Sequence, residues 1–211
     1  MNVLSLKIKK FFPQHTFPCI RNFILITESI LHSRTVCLYK CRDKIPGLSK
    51  GKIKEINTCY TRMIRFFKMK EVMSFIRGIR LLILNIAQTD MSYLIIDRTN
   101  WKRGTKNINL FTIGGLMDEV FVPFYWLQLS KGGGSSIEDR KSLIEGMFSL
   151  AQTIGRSLTG SILLADREFI GQKWFQYLLS KKLSFVIRLR EKMYFELQSC
   201  TGKKNFIKDL S

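Results

Sequence analysis

The chain is predicted to fold as an α/β protein in which a basic helical region precedes a mixed sheet. Three observations carry this. Apolar residues recur at helical spacing up to about residue 88, and after Gln88-Thr89-Asp90 they gather instead into short runs rich in Ile, Val and Tyr. Three such runs follow one another with short connections, as in an antiparallel meander. Two more are set apart by helix-length amphipathic segments, as in parallel strands crossed by helices.

In chain order, Phe23, Ile24, Ile26, Ile30 and Leu31 predict a first helix, and Pro46-Gly47 is expected to break the chain after it. A second basic stretch, Ile53 to Met69, carries Arg62, Arg65 and Lys68. A third helix is predicted over about Val72 to Ala87, with Arg77 and Arg80 among Phe75, Ile76, Ile79, Leu82 and Ile83. The first strand is predicted over Met91 to Ile96, ending at Asp97. The second covers Ile108 to Ile113 and the third Val120 to Leu129, with Gly114-Gly115 between them. A glycine-rich loop, Lys131 to Ser136, then leads to Ser136 and Asp139, which are spaced as a capping box. Leu143, Met147, Leu150 and Ile154 form the stripe of the helix it opens. Ser161 to Ala165 is a buried-type strand ending at Asp166. Gly171 to Lys181 is a helix and Leu183 to Leu189 a fifth strand. The resulting domains are a basic helical region, 1–90, and a sheet domain, 91–211. This order of strands and helices is that of the ribonuclease H-like fold.

Charge narrows the function. Lys and Arg number 35 against 16 acidic residues, a formal net charge of +19. The region 1–90 holds +12 of this and 91–211 holds +7. Cations that displace counterions condensed on phosphates gain affinity for a polyanion, so nucleic acid is the expected partner. An apolar content of 45% excludes a wholly disordered basic tail. No run is long enough for a membrane-spanning helix, and an odd count of five cysteines argues against a disulfide framework and for a reducing compartment. The N-terminus shows no secretory signal.

Two acids occupy equivalent places. Asp97 follows Leu94-Ile95-Ile96 and precedes Arg98, and Asp166 follows Leu163-Leu164-Ala165 and precedes Arg167. If the first and fourth strands are neighbours, the carboxylates converge, and hard Mg²⁺ or Mn²⁺ takes oxygen ligands of this kind. Two ions sharing such acids can assist phosphodiester cleavage. Either Asp could instead pair with the Arg beside it. Trp101, Lys102 and Arg103 beyond the first strand, and Arg188 and Arg190 on one face of the last, are candidate DNA contacts. Cys37 and Cys41, with His32 nearby, are too few for a zinc site. The Gly132-Gly133-Gly134 run lacks the Lys and Ser/Thr spacing of a phosphate loop.

The segments IIDRTNWKRG (95–104), LLADREFIG (163–171), KWFQYLLSKKLSFVIRLRE (173–191), IPGLSKG and RMIRFFK resemble bacterial insertion-sequence transposases of the IS-four type, which are DDE enzymes with a ribonuclease H-like core. The resemblance runs from about residue 20 to 195, and its two acidic motifs stand in order, 69 residues apart. It implies that Asp97 and Asp166 are the first and second catalytic acids, served by Mg²⁺ or Mn²⁺. It also implies that the helical part binds DNA, including transposon ends. Such enzymes cut the transposon end and join the freed 3′-hydroxyl to target DNA. A homodimer on DNA and a cytoplasmic, nucleoid-associated location in a bacterium are implied as well.

One departure matters. The family's third acid is a Glu on a helix within a Tyr-x-x-Arg-x-x-x-Glu-type signature, and no such signature is found. Glu168 and Glu191 are weak substitutes, and only 20 residues follow Glu191. The sheet domain is therefore expected to be incomplete at its C-terminus, as in a truncated, frame-shifted or partial transposase. The alternative is a non-catalytic DNA-binding module that occupies transposon ends or inhibits a full-length enzyme.

Overall fold

A computed structural model of the chain describes residues 3–70, 72–87, 91–130 and 133–189. The polypeptide divides into two compact units, residues 1–82 and 83–211.

The first unit is helical. Its elements are α1 (Val3–Lys9), α2 (Phe17–Ser33), the single turns α3 (Leu38–Cys41) and α4 (Ile45–Leu48) joined by a 3₁₀ turn, α5 (Ile56–Lys68) and the start of α6 (Val72–Ala87). Pro18 in the first turn of α2 occupies a place where its missing N–H costs no hydrogen bond. Pro46 has the same role in α4, so it opens a helical turn where a chain break was expected. The core gathers Ile20 and Ile24 from α2, Cys59, Met63 and Phe66 from α5, and Phe12 and Phe75. Leu31, expected on the apolar stripe of α2, is 69% exposed because it lies near the end of that helix, past its buried positions. The rings of Phe12, Phe23, Phe66 and Phe75 pack within 5.1–5.3 Å across four of their contacts. Gly78 explains itself here: a Cβ would sit 2.3 Å from the Phe12 ring, so only glycine lets α6 pass.

The second unit carries the sheet. Its strands are β1 (Tyr93–Arg103), β2 (Lys106–Met117), β3 (Val120–Leu129), β4 (Ile162–Ala165) and β5 (Ser184–Ile187). They lie in the order β3-β2-β1-β4-β5. The first three are antiparallel, and β4 and β5 run parallel to β1. Helices α7 (Ile137–Thr153) and α8 (Gln172–Ser180) form the crossovers. This is the ribonuclease H-like order. Leu94, Ile96, Phe111, Ile113 and Leu163 are buried from the sheet, with Leu143, Ile144, Met147, Trp174 and Leu178 from the helices. The capping box that opens α7 is present: Asp139 N donates to Ser136 Oγ, and Ser136 N donates to Asp139 Oδ2.

Several boundaries differ from the sequence expectation. The fifth strand, expected over Leu183 to Leu189, stops at Ile187 where its ladder with β4 ends, so Arg188 lies just beyond it. Asp97 does not end β1: it is the fifth residue of an eleven-residue strand, because β2 keeps pairing with β1 as far as Arg103 after β4 has stopped at Ala165. Gly114 and Gly115 do not separate strands either. They lie inside β2 at a register shift, where a Cβ on Gly114 would meet Val122 O at 2.1 Å. The chain turns instead at Asp118 and Glu119, both with positive φ.

A clip joins α7 to α8. Tyr177 Oη donates to Glu145 Oε1 at 2.8 Å, and Lys181 Nζ reaches the same oxygen at 2.6 Å. The Lys181 bond, then the Tyr177 bond, holds Glu145 below the usual carboxylate range. Burial and then Glu145 push the Tyr177 phenol up. The Tyr bond therefore stabilises from above the ordinary Glu pKa of about 4.3 to near the ordinary Tyr pKa of about 10. Relative to Tyr177→Phe, the wild type should be more stable by a few tenths to about 1 kcal/mol at neutral pH, a modest gain because water screens the pair. That difference should shrink above about pH 10, and again in acid as Glu145 protonates. Denaturant unfolding of both chains across pH checks this, and a difference independent of pH would refute it.

Candidate active site

The parallel ladder of β1 and β4 pairs Ile95 with Leu164 and Ile96 with Ala165. The next residues on each chain are Asp97 and Asp166. Paired residues of adjacent strands share a face, and neighbouring strands lie about 4.8 Å apart. Asp97 and Asp166 thus follow the last paired residues of the two strands, and both are exposed, Asp97 by strand alternation on the face of β1 opposite Leu94 and Ile96. The burial cost that an acid after an apolar strand would incur is thus avoided by solvent exposure. Neither Asp pairs with its adjacent Arg: the ion pairs among the described residues are Arg42–Asp43, Arg98–Glu168 and Lys181–Glu145.

The same register extends to β5. Ala165 pairs with Ile187, and Arg188 N donates to Ala165 O at 3.0 Å. Arg188 is therefore next in line after Asp166, and it is exposed. Trp101 lies on the Asp97 side of β1, four residues further on, or roughly 13 Å at the usual rise of a strand. It is 58% exposed. Lys102 is exposed on the other side, paired with Asn107, and Arg103 closes the strand opposite Lys106. Arg190 and Glu191 lie outside the described residues.

Glu168 does not join the two acids. Its carboxylate takes both ends of a bidentate bond from Arg98, Nε to Oε1 at 3.0 Å and Nη2 to Oε2 at 2.8 Å. By strand alternation Arg98 points to the opposite face of β1 from Asp97. That bond keeps the Arg98 guanidinium above its ordinary pKa. Arg140 of α7 donates to Glu168 O at 2.9 Å and to Ser135 Oγ at 3.1 Å, and burial lowers its pKa. Reading the sequence missed this cluster. Its members are 28 to 70 residues apart, and only the Asp-Arg doublets drew attention to Arg98. Among the described residues, no group of three or more His, Cys, Asp or Glu is placed to hold a metal ion. Cys41 is buried and donates to Thr35 O.

In the first unit, Arg62, Arg65 and Lys68 are all exposed on α5. Cys59, Met63 and Phe66 face the core from the other side of that helix. Arg62 Nε donates to Asn22 Oδ1 at 2.6 Å. Arg62 and Arg65 line an open groove with Pro18, Asn22, Thr58 and Thr61. No helix among the described residues is long and apolar enough to cross a membrane.

Comparison with known proteins places a family model described as the transposase DDE domain on residues 88–209. A similar solved structure is the catalytic core domain of HTLV-2 integrase in complex with magnesium, in its dimeric form. It shares 12% identity over 56% of this chain and 75% of that one, with a TM-score of 0.33. No curated protein matches the chain.

Proposed function

The chain belongs to the transposase DDE-domain family, and on that premise we propose that Asp97 and Asp166 are its divalent-metal ligands, in a protein that binds duplex DNA during transposition. What supports this reading is the register, in which Asp97 and Asp166, both exposed, come directly after the last paired residues of β1 and β4. Their chemistry fits Mg²⁺ or Mn²⁺, which prefer hard oxygen donors and keep several waters. When bound, such an ion would activate an attacking oxygen and stabilise a leaving one in phosphodiester cleavage and strand transfer. The chain's own part is to hold two negative charges together and bring the DNA backbone to them. Arg188, in line with the acid pair, and Trp101, on the same face of β1, are suited to the strand nearest the acids. Lys102, Arg103 and Arg190 add positive charge along the same domain. The IS-four type is the reading favoured by the two Asp-Arg motifs. A homodimer on transposon ends fits the need to handle two ends together.

The helical unit is proposed as the second DNA contact, through the solvent face of α5. Its outward cations have few protein partners to give up, so phosphates can replace water and counterions at low cost. Reversing the charges of Arg62, Arg65 and Lys68 together should weaken duplex binding. It should also flatten the dependence of log affinity on log salt by about one unit for each lost phosphate contact. Titration of a labelled duplex at several salt concentrations measures both. An unchanged affinity and slope would remove α5 from the interface. Binding by neither chain at low salt would remove DNA as the partner.

A further inference from the structure

We infer that Arg98 and Glu168 form a positioning pair that holds Asp166 beside Asp97. This rests on those two acids being the metal ligands. The acids are not held equally. Asp97 lies within β1, paired to Thr112 of β2, and Thr112 Oγ1 donates to Asp97 O at 3.1 Å. Asp166 lies one residue past the last ladder pair of β4. There the backbone leaves the strand for a 3₁₀ turn over Arg167–Phe169, and the local bond of that turn is Phe169 N to Asp166 O at 3.0 Å. A four-residue strand and a three-residue turn restrain a carboxylate poorly.

The Arg98–Glu168 pair supplies what the ladder lacks. Arg98 follows Asp97 directly and Glu168 follows Asp166 by two, so one bidentate bond ties the two acid-bearing segments together. A fork of two N–H groups on two carboxylate oxygens fixes orientation as well as distance. The Arg98 side chain is only 10% exposed, so water competes little for it. Its remaining Nη1 donates to Gly133 O, which ties in the loop before α7. Arg140 grips the backbone of the same turn at Glu168 O, and its guanidinium lies 5.3 Å from the Phe169 ring centroid. Phe169 is buried and stacks on Phe111 of β2 at 5.5 Å. The turn that carries Asp166 is thus held from β1, β2 and α7, while its carboxylate stays free on the opposite face. Small misplacements of a ligand cost affinity steeply, so this pair acts on the site without touching a metal or DNA.

Positioning can be read without metal. Adjacent parallel strands bring Cα atoms to a separation that a disulfide can span. In the Asp97→Cys/Asp166→Cys chain, the linked fraction in a glutathione redox buffer, read by mass spectrometry of the linked peptide, gives the effective concentration of the pair. Adding Arg98→Met or Glu168→Gln should lower it tenfold or more while circular dichroism still shows a cooperative melt. Glu168→Gln keeps volume and shape, and it decides the matter if Arg98→Met does not fold. An effective concentration unchanged in folded Glu168→Gln overturns the inference. In chains that retain both Asp residues, Glu168→Gln should weaken Mn²⁺ binding by a similar factor. If the wild type shows no Asp97-dependent Mn²⁺ binding yet linking still depends on Glu168, the metal assignment falls and the positioning pair stands.

Discussion

Asp97→Ala and Asp166→Ala should each weaken Mn²⁺ binding at least tenfold, and the double variant should abolish it. Each tenfold is about 1.4 kcal/mol of binding free energy. The expectation follows from how few donors the site has. Among the described residues, no third acidic, His or Cys side chain joins the pair, so one substitution removes half of its protein charge. Stability should move the other way. Both acids are exposed and outside the ion pairs of the described residues, and on the proposed geometry they are neighbours, so removing one relieves repulsion in the metal-free chain. A melting temperature that is unchanged or raised, together with lost Mn²⁺ affinity, separates a functional acid from a structural one. Calorimetry or Mn²⁺ electron paramagnetic resonance with the three variants checks it. Equal affinity in wild type and double variant would place the metal elsewhere.

The fold was legible in the sequence wherever a strand or helix speaks through its own periodicity. The helix at 72–87 and the strand at 120–129 fall where the sequence places them. Strand β3 is a nearly continuous apolar and aromatic run, VFVPFYWLQL, that can be read alone, and α6 carries a clear apolar stripe. The errors in the sheet have one cause, which is that partners outside the local window extended or reshaped an element. The run Asp97 to Arg103 is polar and reads as the end of a strand, but β2 supplies it with a full antiparallel ladder. Gly114-Gly115 reads as a turn by composition, yet the requirement is close approach of β3 to β2. The first helix, Val3–Lys9, is not legible in the sequence because it is only seven residues long and Lys7 and Lys9 interrupt its apolar stripe.

The site was half legible. Two acids after apolar runs are visible in one dimension, and the parallel pairing of β1 with β4 follows from helix-crossed topology. What surrounds them is not visible in that way. Glu168 looks like a third acid two residues from Asp166. Three-dimensional structure turns it to Arg98, because the chain bends into a 3₁₀ turn whose Phe169 must reach the core. Arg140 is an unremarked helix residue in the sequence, yet it is the second anchor of that turn.

The 211-residue chain, purified alone, should nick supercoiled DNA weakly or not at all in Mg²⁺ or Mn²⁺. Two carboxylates suffice to hold one Mg²⁺, since that ion is often bound by one or two carboxylates and several waters. Stabilising both the attacking and the leaving oxygen takes a second ion, and the resemblance to DDE enzymes implies that a third acid supports it. Glu168 is the nearest acid in sequence to Asp166, but freeing it would break a bidentate bond to a nearly buried Arg98. Breaking one partner from such a pair costs about 3–5 kcal/mol. Spent against the transition state, a cost of that size is roughly two to nearly four powers of ten in rate, at 1.36 kcal/mol for each. Glu168→Gln should therefore leave any residual nicking without a third-ligand signature, namely a change in rate no larger than its change in Mn²⁺ affinity. The assay is conversion of supercoiled plasmid to open circle over hours, with Asp97→Ala and Asp166→Ala as controls. Robust nicking abolished by both controls would overturn the expectation. In that event Glu168→Ala and Glu191→Ala identify the acid that completes the site. Duplex binding without nicking leaves the chain as a DNA-occupying member of its family.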